Sequence, residues 1–229
     1  MNTEKGRPSI GRFLRQRLAE GDRPGSVAFR ARQRRWSSFM GTFPDLSDMR
    51  VLDLGGTVSF WATATATTRP AELTLINPYP GDGPALEWAE VVVADACRPP
   101  LEVRSRRYDL VYSNSTIEHV GGHARREEFA EVASEMAPHM WVQTPYRYFP
   151  VEPHFMFPLL QHLPLTIRTE AARRWPLSPA GFPTDFDDAR DELMTIELLS
   201  IAEMASYFPD ASIRLERMLG LPKSIIAVR

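Results

Sequence analysis

The sequence is poor in cysteine and has no long apolar run. Its only cysteine, Cys97, has no second thiol in the chain with which to form a disulfide. No window approaches the roughly 18 consecutive apolar residues of a membrane-spanning helix. The first residues, "MNTEKGRPSIGRF", lack the apolar centre of a secretory signal. We therefore expect a cytoplasmic protein without a membrane span.

Two common ligand patterns are also missing. In "VLDLGGTVSFW" (51–61), Thr57, Val58 and Ser59 stand where further glycines of a G-x-G-x-x-G dinucleotide pattern would fall, which argues against a pyrophosphate cradle. One cysteine without a compact set of histidines argues against a zinc site. What remains is a short apolar run that ends on an aspartate and two glycines, Asp53, Gly55 and Gly56.

Short apolar runs alternate along the chain with longer amphipathic ones, which is typical of a parallel sheet flanked by helices. The predicted strands are 50–55, 71–77, 89–95, 108–114, 140–145, 212–218 and 224–229. The predicted helices are 57–66, 83–88, 123–137 and 198–207. Because "LGLPK" is too short for a crossover helix, the last two strands must pair antiparallel. The fold class predicted is α/β, a Rossmann-like, seven-stranded, mostly parallel sheet with an antiparallel last strand and helices on both faces.

Two segments interrupt this pattern. Residues 1–50 hold 11 basic and 5 acidic residues, net +6, whereas the remainder holds 16 against 24, net −8. Trp36 and Phe39 alternate with arginines at helical spacing, so residues 1–48 are interpreted as a basic helical extension that forms a lid. Residues 144–186 contain 8 of the 20 prolines. This proline-rich insertion in the main domain, 49–229, is predicted to be irregular and to face the substrate.

The ends of the predicted strands carry a resemblance. The first ends on "DLGGT", the second on Asn77, the third on "ADAC" and the fourth on "SNSTIEHV". Together with the closing hairpin, these resemble the class I S-adenosylmethionine-dependent methyltransferases over about residues 48–229. The resemblance implies S-adenosylmethionine as cofactor. The residues predicted to bind it are Asp53, Gly55, Gly56, Thr57, Asn77, Asp95, Ala96, Ser113 and Asn114.

Within that family, Asn77 would hold the ribose hydroxyls, Asp95 with Ala96 would read the adenine edge, and the glycine turn would face the methionine end. A bulky side chain at Gly55 would then fill the cofactor's place while the fold survives. The chain departs from the family at Asn77, where an acidic residue is usual, and at Thr57 and Ser59. The adjacent Asp-Asn pair of the magnesium-dependent members is absent, so no metal is expected.

The longer string "DLGGT…NPYP…SNSTIEHVG…TPYRYFPVEPHFMFPLLQHLP" looks like bacterial methyltransferases that act on sugars and natural-product scaffolds. The function predicted is methyl transfer to a hydroxyl of a sugar or glycoside. Such a hydroxyl needs a general base. His154, next to Pro153 and near Glu152, is the first choice, with His119 and then Glu118 as alternatives. The predicted substrate-binding residues are Trp36, Tyr146, Arg147, Tyr148 and Glu152.

Three other interpretations stay open. The aromatic segment "YFPVEPHFMF" suits a lipid-like or polyketide acceptor as well as a sugar. The basic arm would suit a nucleic-acid-binding protein, although "SNST" lacks the flat aromatic that base methylation needs, so nucleic acid is the weaker partner. The altered glycine turn would suit a cofactor-binding protein without catalysis. The sequence leaves open whether the protein forms a homo-oligomer.

Overall fold

A computed structural model of the chain describes residues 26–81, 83–179 and 181–229. These residues form two compact units. The sheet unit comprises Phe39–Phe149 and Thr195–Arg229, and the insertion unit comprises 26–38 and Pro150–Met194. Among the residues described, no helix combines the length and the apolar composition that a membrane crossing requires.

The strands of both units are numbered along the chain. They are β1 (Arg50–Leu54), β2 (Glu72–Asn77), β3 (Ala89–Val93), β4 (Leu110–Asn114), β5 (His139–Pro145), β6 (Val151–Glu152), β7 (Phe157–Pro158), β8 (Ser212–Met218) and β9 (Leu221–Val228). The helices are α1 (Val27–Thr42), α2 (Val58–Trp61), α3 (Leu101–Arg104), α4 (His123–Glu135), α5 (Leu165–Arg174), α6 (Phe186–Met194) and α7 (Ile201–Tyr207).

The sheet unit contains one seven-stranded sheet in the order β3-β2-β1-β4-β5-β9-β8. Strands β1 to β5 are parallel, and β9 pairs antiparallel with both β5 and β8. The predicted fold class is therefore confirmed, including the antiparallel last strand. Strand order reverses between β1 and β4, which is where open parallel sheets bind ligands at the carboxyl ends of the strands.

Side chains alternate between the two faces of the sheet, and each face packs against helices. On one face Val111 belongs to an apolar cluster with Phe129 of α4 and Met204 of α7. On the other, the ring of Tyr112 lies 4.9 Å from that of Phe39 in α1 and 5.5 Å from that of Trp61 in α2. Phe39, which with Trp36 is predicted to form the apolar face of a lid, is only 1% exposed. The last turn of α1 therefore belongs to the core of the sheet unit.

Every predicted strand is present, with ends shifted by three residues at most. Two helix predictions are wrong. Helix 57–66 is reduced to Val58–Trp61, because the threonines that follow hydrogen-bond to one another, as Thr65 does with Thr68. The described residues of 83–88 form no helix, since "YPGDGP" supplies glycine and proline where a helix would begin. Helix α7 begins at Ile201 because Ser200 and Glu203 form a capping box.

The insertion unit is more regular than the sequence predicts. Strands β6 and β7 pair antiparallel, a 3-10 turn covers Leu160–His162, and α5 and α6 follow. The unit runs over 150–194 instead of 144–186, because residues 144–149 stay with the sheet unit. Of the predicted basic extension, residues 1–25 lie outside the described part of the chain, and α1 supplies its helix.

Candidate active site

The glycine turn after β1 has no room for side chains, because other residues of the chain pack closely against it. Gly55 has φ +86°, and its N–H donates to Ile76 O at 2.7 Å. A Cβ on Gly55 would overlap Thr116, whose own Cβ would be 2.8 Å away, and a Cβ on Gly56 would overlap Asp53. A side chain at Gly55 therefore disturbs the fold locally. The overlap and the left-handed φ argue against the expectation that Gly55→Leu spares the fold, and its effect on cofactor binding stays a prediction.

Asp53 lies beneath this turn. It is 1% exposed, and its Oδ2 accepts a hydrogen bond from Trp61 Nε1 at 2.7 Å. Its Oδ1 is buried and accepts no hydrogen bond from any residue that the structure describes. Burial raises the pKa of Asp53 to about 7, although the indole hydrogen bond lowers it. Asp53 is thus a buried support of the turn, and its predicted contact with the cofactor stays a prediction.

The unusual Asn77 is explained by the same turn. Its Nδ2 donates to Gly56 O at 3.1 Å and to Gly55 O at 3.4 Å, while its Oδ1 accepts from Tyr79 N at 3.0 Å. A carboxylate cannot donate to these carbonyls. The amide therefore fixes the conformation of the turn, and its predicted contact with ribose hydroxyls stays a prediction.

A cavity of about 330 Å³ opens beside the turn at the carboxyl ends of β1 and β2. It is lined by Gly56, Thr57, Val58, Leu75, Asn77, Tyr79, Pro80, Gly81 and Val91. Three of these residues were predicted cofactor contacts. Thr57 also caps α2, because its Oγ1 accepts from Phe60 N. The others were missed, although "NPYPG" straight after a strand, with an aromatic between two prolines, was an available signal.

The predicted adenine site after β3 is occupied by other interactions. Asp95 forms an ion pair with Arg125, and its Oδ1 accepts from Cys97 N at 2.9 Å. Partial burial raises the pKa of Asp95, but the Cys97 N–H and the Arg125 guanidinium outweigh it and hold the pKa below its ordinary value. The side chain of Ala96 is 5% exposed and packs in the core. Asp95 thus already has two partners in the chain, and the predicted contacts of Asp95 and Ala96 with the adenine edge stay predictions.

The end of β4 is held together by hydrogen bonds to its neighbours. Ser113 is fully buried and donates to Leu54 O at 2.8 Å, and Asn114, half-buried, lies opposite Gln143 in β5. Ser115 has φ +58°, a strained conformation that its bonds to Gln143 maintain. The loop that follows therefore leaves the strand in one defined direction. The predicted cofactor contact of Ser113 is wrong for its side chain, because the hydroxyl is committed to β1.

Glu118 and His119 differ in exposure. Glu118 is 0% exposed, and its Oε2 accepts from Thr144 Oγ1 at 2.9 Å while its backbone O accepts from Glu197 N at 2.8 Å. His119 is exposed. Glu118 is therefore better suited to orient the loop than to accept a proton from an acceptor, whereas the side chain of His119 is exposed to solvent.

Among the predicted substrate-binding residues of the sheet unit, Arg147 links two elements of that unit. Arg147 Nε donates to Leu198 O at 2.7 Å, and its Nη2 donates to Glu203 Oε1 at 2.8 Å. These bonds join the end of β5 to the start of α7, so the predicted role of Arg147 in holding substrate is not supported. Tyr148 is 56% exposed, and its ring lies edge-on to that of half-buried Tyr146 at 5.6 Å.

The insertion unit contains a carboxylate–imidazole pair. Glu152 is 4% exposed, its Oε1 lies 2.6 Å from His154 Nδ1, and its Oε2 accepts from Phe155 N at 2.8 Å. The carboxylate thus fixes the ring, as the sequence predicts. In the neutral imidazole Nδ1 then carries the hydrogen and Nε2 is the basic nitrogen. Trp36 of α1 is half-buried, and its role as a substrate contact stays a prediction.

Comparison with known proteins establishes the fold. No protein-family model matches the sequence, and no curated protein matches it either. Among solved structures, the magnesium protoporphyrin IX methyltransferase of Synechocystis PCC 6803 with bound S-adenosylmethionine has a TM-score of 0.51 at 11% identity, covering 97% of this chain and 92% of its own. An S-adenosylmethionine-dependent methyltransferase from Mesorhizobium loti has a TM-score of 0.50 at 14% identity, covering 84% and 95%.

A third structure from Rhodobacter sphaeroides, named as a Zn-dependent alcohol dehydrogenase, has a TM-score of 0.55 at 10% identity, covering 85% of this chain and 87% of its own. At identities this low, the structural similarity establishes a common architecture only, and the activity has to be argued from the site. The chain has the Rossmann-like fold of these methyltransferases.

Proposed function

We propose that the protein is an S-adenosylmethionine-dependent O-methyltransferase that acts on a hydroxyl of a sugar or glycoside. The observation that carries the proposal is the cavity beside the glycine turn, at the carboxyl ends of β1 and β2 in a sheet whose strand order reverses next to β1. The likeness to methyltransferase structures supports it, and so does the resemblance of the strand ends to that family.

The residues that line the cavity fit the cofactor. Gly56 lets a ligand approach the backbone, while Val58, Leu75 and Val91 offer apolar surface for a flat ring. Asn77 Oδ1 keeps acceptor capacity for a hydroxyl besides its bond from Tyr79 N. S-adenosylmethionine, when bound, supplies a methyl group on a positively charged sulfur.

We assign His154 as the general base that removes the proton of the acceptor hydroxyl. Glu152 holds Nδ1, so Nε2 accepts the proton, and the buried carboxylate stabilises the imidazolium that results. General-base assistance of this kind contributes roughly 10²- to 10⁴-fold. His119 is the alternative base. A sugar acceptor is further supported by exposed Tyr148, because aromatic rings stack on sugar faces. We expect this reaction in the cytoplasm.

Cofactor binding is tested by titration calorimetry with S-adenosylhomocysteine. Val91→Trp fills the cavity from an edge strand, where the side chain is 37% exposed, so the fold should tolerate it. The affinity should fall by at least about 10-fold. Val93→Trp is the matched control, since Val93 is 59% exposed on the same strand and is not among the lining residues. A parent protein that does not bind S-adenosylhomocysteine would remove the proposal.

The reaction is tested by a methyl-transfer screen over glycosides, phenols and oligonucleotides. With the acceptor that the screen identifies, His154→Ala should lower kcat by about 100-fold or more and leave cofactor affinity unchanged. His162→Ala, an exposed histidine of the same unit, should change neither. If His119→Ala causes the large loss instead, the base lies on the loop after β4. Transfer to phenols or oligonucleotides alone would refute the sugar acceptor.

A further inference from the structure

The turn of the β8–β9 hairpin has an unexpected residue. Met218 pairs with Leu221, so the loop consists of Leu219 and Gly220, with φ +51° and +83°. Positive φ at both central residues is what a type I′ turn demands, and Asn-Gly is the sequence that satisfies it best. A leucine in the left-handed region is strained by its Cβ. The turn itself therefore does not select Leu219.

Packing against the part of the chain that the structure describes does not select Leu219 either. Its side chain is 97% exposed, and that of Leu221 across the turn is 49% exposed. A leucine that is both strained and in water stabilises nothing in the isolated protein. Burial of this side chain by another molecule would offset the strain of its backbone conformation.

The flanking charges indicate what that molecule is. Arg217 and Lys223 stand on either side of the apolar residues, and no acidic residue lies in 217–223, which we name the hairpin tip. Arg217 is exposed, and its Nη1 donates to Gly220 O at 2.9 Å, which holds the guanidinium beside the turn. Apolar side chains between cations match the boundary of an anionic lipid surface, where acyl chains lie beneath negative head groups.

The hairpin tip also lies at the functional end of the sheet. Ser224 in β9 pairs with Pro145 at the carboxyl end of β5, and Tyr146 N donates to Lys223 O at 2.9 Å. Residues 217–223 therefore lie at the same end of the sheet as the glycine turn and the loop after β4. A surface bound by the hairpin tip would face the end of the sheet that carries the cavity.

We infer that the hairpin tip binds an anionic lipid bilayer by inserting Leu219 and Leu221 among the head groups. This inference does not depend on the proposed reaction, because binding can be measured without cofactor or acceptor. Two leucines, with exposed Arg217 as the main cation, give weak, reversible binding, which requires anionic lipid and decreases with salt.

The experiment is co-sedimentation of the full chain with vesicles of phosphatidylcholine alone and of phosphatidylcholine with phosphatidylglycerol. The intact protein should bind the second and not the first, and high salt should release it. Leu219→Asn should reduce binding about 10-fold, since the inserted side chain is lost. The same substitution should keep or raise Tm, because Asn-Gly suits the turn better.

Leu101→Asn is the matched control, since Leu101 is an 83% exposed leucine of the same unit outside the hairpin tip. It should bind vesicles like the parent. Equal binding by Leu219→Asn and the parent would overturn the inference, and so would absence of binding to either vesicle. A dimer in light scattering that Leu219→Asn dissociates, without vesicle binding, would show that a second copy covers the hairpin tip instead.

Discussion

The ends of β1 and β3 each carry an aspartate that the sequence predicts as a cofactor contact, and the two lie in contrasting environments. Asp53 is buried beneath the glycine turn with an indole as its hydrogen-bond donor, and its pKa is raised to about 7. Asp95 is partly exposed, bound to Arg125 and Cys97 N, and its pKa is lowered. The surroundings of Asp53 therefore favour its protonated form, and the surroundings of Asp95 favour its ionised form.

The difference comes from what surrounds each carboxylate. After β1 the chain turns over Asp53 with two glycines, and the carboxylate is buried, so burial and the Trp61 hydrogen bond, not a cation, set the direction of its pKa shift. After β3 the chain leaves toward α4, whose Arg125 supplies a positive charge. Position in the fold therefore does not determine the role of a strand-end aspartate, because the partners differ: the Trp61 indole for Asp53, and the Arg125 guanidinium with Cys97 N for Asp95.

The largest expected effect tests how closely the turn is packed. Gly55→Ala should destabilise the protein by about 2–5 kcal/mol, since it adds left-handed strain to an overlap with Thr116. The measurement is urea unfolding. Gly220→Ala is the control, because Gly220 has φ +83° but nothing within 4 Å of an added Cβ. If both substitutions lower the free energy of unfolding equally, the overlap with Thr116 adds nothing to the cost of Gly55→Ala.

A smaller effect tests the charge state of Asp53. Its folded pKa is raised from 3.8 to about 7, so the folded state binds a proton more tightly and loses this stability as the pH rises from about 4 to 7. Asp53→Asn removes the titration. Relative to the parent, the variant should gain about 2 kcal/mol in free energy of unfolding between pH 5.5 and pH 8. A difference independent of pH would mean that Asp53 is ionised throughout.

The two aspartates also show how far the sequence predicts the structure. Strand positions and the antiparallel hairpin followed from apolar patterning and from one short connection, both of which are local signals. That Asp53 would be covered depended on Trp61 and on the closure of the turn against Thr116. The sequence near Asp53 does not show that either contact forms, although Trp61 is only eight residues away.

The same reasoning explains the other outcomes at the site. Glu152 and His154 are two residues apart, so their contact was predictable. Arg147 was assigned to substrate because its partners, Leu198 and Glu203, are about 50 positions away. The cavity was missed where its wall comes from Tyr79 and Val91, because neither residue was assigned a role from the sequence. The predicted cofactor contacts were taken from the glycine turn and the strand ends, and they left out the apolar lining.

The smallest expected effect concerns Asp95. Its side chain is 46% exposed, and exposed ion pairs contribute under about 1 kcal/mol, so Asp95→Asn should cost less than that in free energy of unfolding. The sign of the pH dependence is opposite to that of Asp53. Because its folded pKa is lowered, Asp95 contributes stability above its unfolded pKa and loses it as the pH falls through the folded value.

The cost of Asp95→Asn should therefore be visible at pH 7 and shrink below about pH 4, as measured by urea unfolding at both values. Added salt should shrink it as well, since the pair with Arg125 is screened. The affinity for S-adenosylhomocysteine should change by less than about 3-fold, because the carboxylate is already held by Arg125 and Cys97 N. A loss of about 10-fold or more in calorimetry would return Asp95 to the adenine site, and the ends of β1 and β3 would then differ in charge state but not in function.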